Sequence, residues 1–349
     1  MIKSIVSIYT FLHFLVDFAC AYLLYHFIYP LISSPTEVFF AFLLYNFFAF
    51  AVQFPIGILA DFVNKNSFIA GLGCFLVALA FLLYPLGIIA IVIAGVGNAC
   101  FHIGGGINIL NISKGKATLP GIFVSSGALG IFLGAQKFLN LSDNYLIFIG
   151  LLGMGCLFLY FLHNKFQHIL QNPPVQTLHL SKLNKIFMIF CLCLTVFLRS
   201  YTGFMFAFEW KQGFVIGLLF TGGILLGKML GGIISDKFGM QKTAIMSLIL
   251  SALFCCFAFQ NNIYGIIFGS ISVLLFNMTM PLTLTALTNL VPTQKGMAFG
   301  LLTFMLFLGA LPTLFNIPNL FFSPKGLCLL IFLSLISLVF GLPKGQKES

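Results

Sequence analysis

Charge is what this sequence has least of. Only 7% of its 349 residues are Asp, Glu, Lys or Arg, whereas 60% are hydrophobic. A soluble domain carries about 25% charged residues, because it has to cover a water-facing surface. This chain cannot do so, and a soluble globular enzyme is excluded. Intrinsic disorder is excluded by the same apolar content. Arginine occurs once, at Arg199, and no basic cluster exists, so the net charge of +10 is not the footprint of a nucleic-acid groove. There is one Trp, Trp210. The nine Cys all fall inside apolar runs; the close pairs Cys191/Cys193 and Cys255/Cys256 have neither metal nor redox spacing and read as small packing residues. No stretch has a P-loop, a zinc-ligand spacing or a Ser nucleophile elbow, and Gly95-x-Gly97 has no strand before it. Neither a cofactor nor a resident metal is expected, and the chain does not read as an enzyme.

What is present is a succession of long apolar runs. A transmembrane helix needs about 20 such residues, so twelve helices use about 240 and fit with short loops. Transmembrane barrels would instead show alternating segments of about 10 residues. The expected helices are 4–30, 37–62, 67–84, 86–112, 118–139, 144–163, 186–208, 213–235, 243–260, 263–289, 297–316 and 325–342. Pro30, Pro35, Pro85, Pro292, Pro318 and Pro324 sit at or near the breaks. The first run is too long for a signal-peptide core and reads as a retained helix.

The longest polar stretch, 164–185, contains Pro173-Pro174 and lies at the midpoint of the chain. It divides the sequence into an N-terminal six-helix bundle, 1–163, and a C-terminal six-helix bundle, 186–349. With the N-terminus in the cytoplasm, that side holds Lys3, Lys65, Lys114, Lys116, Lys165, Lys182, Lys185, Lys237, Lys242, Lys295, Lys344 and Lys347. The outer side holds only Lys137, Lys211 and Lys325. Such a bias predicts a multi-pass protein of the cytoplasmic membrane with both termini inside, and it puts Trp210 at the outer interface.

Two segments repeat. Gly57-Ile58-Leu59-Ala60-Asp61-Phe62-Val63-Asn64-Lys65 and Gly231-Gly232-Ile233-Ile234-Ser235-Asp236-Lys237-Phe238-Gly239-Met240-Gln241-Lys242 each begin with Gly and carry Asp near the end of the second helix of a half, with Lys after it. The two Asp are half a chain length apart. Gly lets helix ends approach closely. Asp at such a boundary can pair with a Lys or accept from a helix N-terminus, and so hold one arrangement of the two halves. A matched repeat at this spacing marks a two-halved carrier.

This pattern resembles the major facilitator superfamily, whose loop signature is G-x-x-x-D-[RK]-x-G-x-[RK]. The second copy is nearly complete, and the first lacks the basic residue after Asp and the following Gly. The resemblance implies an all-α polytopic membrane fold, twelve transmembrane helices in two pseudo-symmetric bundles, with Gly57, Asp61, Lys65, Gly232, Asp236, Lys237, Gly239 and Lys242 acting in conformational gating. His13 to Asp17 in the first helix, Gly95 to His102 in the fourth, Gly127-x-x-Gly130-x-x-x-Gly134 in the fifth and Arg199-Ser200 in the seventh are similar to the fosmidomycin-resistance branch of proton-coupled drug exporters. Ile103 and Ala135 stand where that branch carries Pro, and Gly104 to Gly106 where a basic residue is usual. Gly127, Gly130 and Gly134 are expected to pack helices.

Charges inside apolar runs are costly in lipid, and each needs a reason. Asp17 and Arg199 lie at similar depth in the first and seventh helices, about 20 Å from the cytoplasmic end at about 1.5 Å per residue. They are expected to face each other across a central cavity. His13 stands one helical turn before Asp17, on the same face. His13, Asp17 and His102 are the candidates for proton coupling; each could also be a structural hydrogen-bonding residue. Arg199 offers a planar fork for carboxylate or phosphonate, with a structural salt bridge as the rival. Arg199, Asp17, Asn108 and Asn277 are candidate substrate contacts, and Asn46, Gln53 and Thr279 could also line a cavity. Lys228 is expected to snorkel to the cytoplasmic surface, and Glu209 to be a solvated edge charge.

The reading is a secondary active transporter working by alternating access, exporting a small amphiphilic or anionic compound in exchange for protons. Uptake of a small organic acid or nutrient is the alternative in the same class. A membrane-embedded enzyme or a transport-dead receptor is the alternative outside it. The expected partners are a small molecule, protons and the lipid bilayer, with no nucleic acid and a monomeric chain.

Overall fold

The structure, a computed structural model, describes residues 2–136, 145–170, 181–315 and 321–343. Lys137, Asn144, Pro173, Pro174, Pro318, Lys344 and Lys347, used above, lie outside the described residues, as do the expected helix ends at Leu139 and Asn316.

Among the described residues twelve helical spans follow one another. They are α1 Ile2–Leu31, α2 Pro35–Val63, α3 Asn66–Leu82, α4 Ile88–Ser113, α5 Thr118–Gly134 and α6 Leu146–Leu170. Then come α7 Lys182–Met205, α8 Phe214–Phe238, α9 Met240–Cys255, α10 Ile263–Leu290, α11 Lys295–Leu314 and α12 Pro324–Gly341. Nine of these are long and apolar enough to cross a membrane, and α3, α5 and α9 are shorter apolar helices. Only structures that satisfy their own backbone hydrogen bonds survive in lipid, which is why the apolar runs fold as helices throughout. Phe40, Phe75, Leu157, Phe190, Met246 and Phe332 all lie exposed. Large apolar surface of that extent faces acyl chains rather than water. The chain is a multi-pass membrane protein.

The breaks follow local chemistry. Asn64 ends α2 in the left-handed region, with φ 52°, and Gly239 ends α8 with φ 92°. Pro35 and Pro324 open α2 and α12, where a missing N–H costs nothing. Side chains of Ser181, Asn262 and Ser323 accept from the first free amides of α7, α10 and α12. α1 and α2 each contain a wider π-helical stretch, at Leu23–Ile28 and Phe47–Ala51. α6 continues beyond the expected end at His163 as far as Leu170, because no Pro or Gly stops it before Pro173. Its last carbonyl accepts from Asn111 Nδ2 at 2.7 Å.

α7 stops at Met205, short of the expected Phe208, and the chain then folds back on its own unit. Trp210 is therefore not an interfacial belt residue: it is 6% exposed, stacks on Phe208 and donates its indole N–H to the Ala258 carbonyl at 2.6 Å. Its ring covers Gly269, where a Cβ would collide with it.

The helices gather into two compact units. Unit 1 holds α1 to α4, α5 from Ser126 onward, α6 and the first turns of α11 through Phe304. Unit 2 holds the first turns of α5 through Ser125, α7 to α10, α11 from Met305 onward and α12. The split of α5 and α11 follows the repeat, since each is the fifth helix of its half.

Candidate functional site

In unit 1 the buried polar side chains converge where α1, α4 and α5 meet. His13, Asp17 and His102 are 4%, 6% and 8% exposed. His13 Nε2 stands 2.7 Å from His102 Nε2 and 3.3 Å from Asp17 Oδ2, and His102 Nε2 stands 3.6 Å from Asp17 Oδ1. The ion-pair partners of Asp17 within its own unit are thus two imidazoles. α5 reaches the cluster through glycine: a Cβ on Gly127 would collide with Asp17 Oδ2 and His13 Nε2, and one on Gly130 with the Phe14 carbonyl. Gly134 lies as closely against the Phe18 carbonyl.

Asn98, inside the Gly95 to His102 stretch but not among the candidate site residues, organises the cluster. Its Nδ2 donates to Asp17 Oδ1 at 2.8 Å, and its backbone carbonyl accepts from His102 Nδ1 at 2.9 Å. A carbonyl only accepts, so His102 carries its hydrogen on Nδ1. With both imidazoles neutral, His13 Nε2–H then donates to His102 Nε2. The carboxylate leaves that set of groups at a charge of −1, and one further proton makes it neutral. Asn98 Oδ1 is buried without a partner, which makes the site richer still in acceptors.

His13, Asp17 and His102 present ligand atoms within 4.8 Å of one another, and they are the residues that would hold a cation. Bonds of about 2.0–2.1 Å from zinc to two nitrogens this close would subtend about 80°, far from tetrahedral. The arrangement as it stands suits a proton.

The other candidate residues of unit 1 bond within that unit, and Asn108 Oδ1 and Gln53 Oε1 are buried without a partner among the described residues. Asn108 is fully buried, and its Nδ2 donates to Tyr9 Oη at 2.7 Å and Ser67 Oγ at 2.9 Å. Gln53 and Asn46 donate to carbonyls one turn back in α2, Ala49 and Phe42. In unit 2, Asn277 donates to Val273 and the Thr279 hydroxyl to Phe276. Glu209 is exposed, as expected. Lys228 does not simply reach for the surface: its Nζ donates to the Val124 carbonyl of α5 at 3.1 Å.

Arg199, in α7 of unit 2, is 7% exposed. Its Nη1 donates to Thr283 Oγ1 of α10 at 3.3 Å. No carboxylate forms an ion pair with it among the described residues. Within unit 2, Glu209 lies exposed beyond the end of α7, and Asp236 is engaged elsewhere. A guanidinium has five N–H donors and a full charge, so one hydroxyl leaves it far from satisfied.

The repeated Asp residues do the same thing twice. Asp61 accepts from the backbone N–H groups of Gly296 and Met297, both at 2.7 Å, at the start of α11. Asp236 accepts from the N–H groups of Ala117 and Thr118, both at 2.8 Å, and from the Thr118 hydroxyl at 2.5 Å, at the start of α5. Each carboxylate meets the positive end of a helix dipole and two of its orphan amides. Glycine permits the approach: a Cβ on Gly57 would collide with the Gly296 carbonyl, and one on Gly232 with the Ala117 carbonyl. Lys65, Lys237 and Lys242 are exposed, and none forms an ion pair among the described residues. The basic residue that joins this contact is Lys295, read from sequence as a loop lysine. It is 8% exposed and donates to Asn111 Oδ1 at 2.7 Å.

No protein-family model matches the sequence, and no curated protein matches it either. Solved structures do. A crystal structure of the major facilitator transporter FucP in its outward conformation is 11% identical with a TM-score of 0.64, over 97% of this chain and 99% of that one. A point variant of the E. coli fucose:proton symporter FucP is 15% identical with a TM-score of 0.65, over 97% and 98%. The human organic anion transporter MFSD10 (TETRAN) is 13% identical with a TM-score of 0.67, over 97% and 99%. Likeness along nearly the whole of each chain, with twelve helices in a duplicated order, gives this protein the fold of the major facilitator transporters.

Proposed function

We propose that this chain is a secondary active transporter that moves a small organic anion by alternating access, coupled to protons. The observation that carries the substrate class is Arg199: a buried guanidinium with one hydroxyl partner and no ion-paired carboxylate among the described residues asks for an anion. Carboxylate and phosphonate both match its fork. The similarity in fold to an organic anion transporter and to a proton symporter supports the same reading.

The proton site in this reading is His13, Asp17 and His102, which change from net negative to neutral when one proton enters. Asp61 and Asp236 act as latches, since a carboxylate on a helix N-terminus must be given up when the helix ends move apart. Lysine distribution supports a cytoplasmic-membrane location with both termini inside. The chain acts as a monomer. Export is the leading direction, on the resemblance of α1, α4 and α5 to drug exporters. Uptake is the second reading, favoured by Ile103 and Ala135 standing where those exporters carry Pro.

The test is reconstitution in liposomes with a pH-sensitive dye inside, screening small carboxylates and phosphonates against neutral analogues. The expected result is an internal pH change driven by an anion and absent with its neutral analogue. Anion movement with no pH change removes the proton coupling. Movement of neutral compounds alone removes the anion assignment.

A further inference from the structure

Three of the nine cysteines converge at one end of unit 2. Cys255 and Cys256 close α9, and Cys328 stands in the second turn of α12. Cys256 Sγ and Cys328 Sγ are 3.4 Å apart, in van der Waals contact. Both thiols are aimed at the same acceptor, the Ala252 carbonyl, at 3.5 Å and 3.4 Å. Cys255, next to Cys256 in the chain, is fully buried. Cys256 is the only one of the nine that is exposed. The sequence pair Cys255/Cys256 carries no redox spacing, and the fold supplies the missing partner from α12.

Position adds to proximity. Under the proposed orientation, α9 ends and α12 begins at the outer face, where thiols meet an oxidising milieu. We propose that Cys256 and Cys328 are a thiol-oxidation site that forms a disulfide between α9 and α12 by exchange with a small-molecule disulfide. The Cys256 thiolate attacks one sulfur of that disulfide, whose S–S bond breaks, and the departing thiolate takes a proton. The Cys328 thiolate then attacks the Cys256 sulfur of the mixed disulfide and expels the second thiolate, which is protonated in turn. Two protein thiols are oxidised, and one external disulfide is reduced to two thiols. Exposure makes Cys256 the point of entry and contact makes Cys328 the resolving thiol, while burial keeps Cys255 reduced. The bond joins two helices far apart in sequence and restricts the unfolded chain accordingly.

The site is assigned from unit 2 alone, but its place at the outer face rests on the orientation proposed above. The full-length protein, purified in detergent, is treated with oxidised glutathione, and its remaining thiols are counted with a maleimide by intact mass. The expected result is loss of two of the nine thiols, a crosslinked peptide joining Cys256 to Cys328, and a rise in Tm reversed by dithiothreitol. Cys256→Ser and Cys328→Ser should each form no crosslink, whereas Cys255→Ser should still lose two thiols. Nine thiols remaining in the treated, folded protein, or a crosslink through Cys255, overturns the proposal. A second arm separates it from the orientation: a membrane-impermeant maleimide should label Cys256 in intact cells before oxidation and not after. Labelling only in inverted vesicles sinks the orientation and with it the outer-face site, while the glutathione result still judges the thiol pair.

Discussion

His13 Nε2 lies 2.7 Å from His102 Nε2, although the two residues belong to different helices. Such a contact between two imidazoles requires a hydrogen on the line between them. Asp17, within 3.3 Å of His13 and 3.6 Å of His102, supplies the negative charge that makes a further proton welcome. The first prediction concerns that division of labour. His102→Leu removes the acceptor and strands the donor, a loss of about 1–3 kcal/mol, one to two powers of ten in an equilibrium. Uptake driven by a pH gradient should fall by roughly that factor, while exchange of substrate across the membrane without a gradient continues. Asp17→Asn should give the same pattern. A variant that accumulates substrate normally against a pH gradient would remove its residue from the coupling mechanism.

Gly127 sets how close α5 comes to that cluster. A Cβ there meets Asp17 Oδ2 and His13 Nε2, whereas a Cβ on Gly150 meets nothing within 4 Å. Gly127→Ala should cost about 1–3 kcal/mol by overpacking and displace the carboxylate. The expected outcome is a lower Tm in detergent together with lost proton coupling. Gly150→Ala, equally a glycine in an apolar helix, should change neither. Equal behaviour of the two variants would mean that α5 does not press on the site.

How much of this was legible beforehand varied with the range of the interaction. The helices could be read because lipid forces each apolar run to satisfy its own backbone. His13, Asp17 and His102 stood out because polar groups are rare in such runs. Their mutual contact could only half be read: His13 and Asp17 share a helix turn, but His102 arrives from α4 through a tertiary packing that no local pattern encodes. Asn98 lay inside the Gly95 to His102 stretch, but its role there could not be read, since a lone Asn in an apolar helix is as consistent with any interhelical bond. The loop Asp residues were visible as a repeat, yet their partners were not. Asp236 reaches amides at Ala117 and Thr118, more than a hundred positions earlier, and backbone N–H groups leave no trace in a sequence. Lys295 was misread for the related reason that charge near a helix end is ordinarily solvated. Trp210 was misplaced because the chain after Met205 turns inward, where the indole N–H finds the Ala258 carbonyl.

Arg199 yields a prediction in which stability and function part company. A buried charge without an ionic partner is expensive, and replacing such a group by an apolar one of similar length is often neutral or stabilising by about 1–4 kcal/mol. Arg199→Met should therefore raise the Tm of the ligand-free protein. It should also abolish anion transport and the stabilisation that bound anion confers. Arg199→Lys keeps the charge but loses the planar fork, so KM for a carboxylate should rise about tenfold or more with little change in insertion. A destabilised Arg199→Met protein would show instead that the guanidinium serves a structural bond.

Asp61 and Asp236 should behave alike if the repeat is functional. Each carboxylate engages two backbone amides at a helix N-terminus, contacts worth about 1.5–3 kcal/mol each when charged. Substitution by Asn keeps one oxygen acceptor and loses the charge, and substitution by Ala loses both. The amides of Gly296 and Met297 should exchange hydrogen faster in Asp61→Asn and faster again in Asp61→Ala, with Ala117 and Thr118 following the same order in the Asp236 variants. Because the two contacts share no residue, the double variant should show both effects in full, each confined to its own helix start. Transport should slow in proportion to the lost protection, since the state held by these carboxylates becomes less populated. Unchanged exchange at Gly296 and Met297 in Asp61→Ala would mean that the helix start is held by Lys295 and Asn111, and that the acidic residue of the repeat is dispensable.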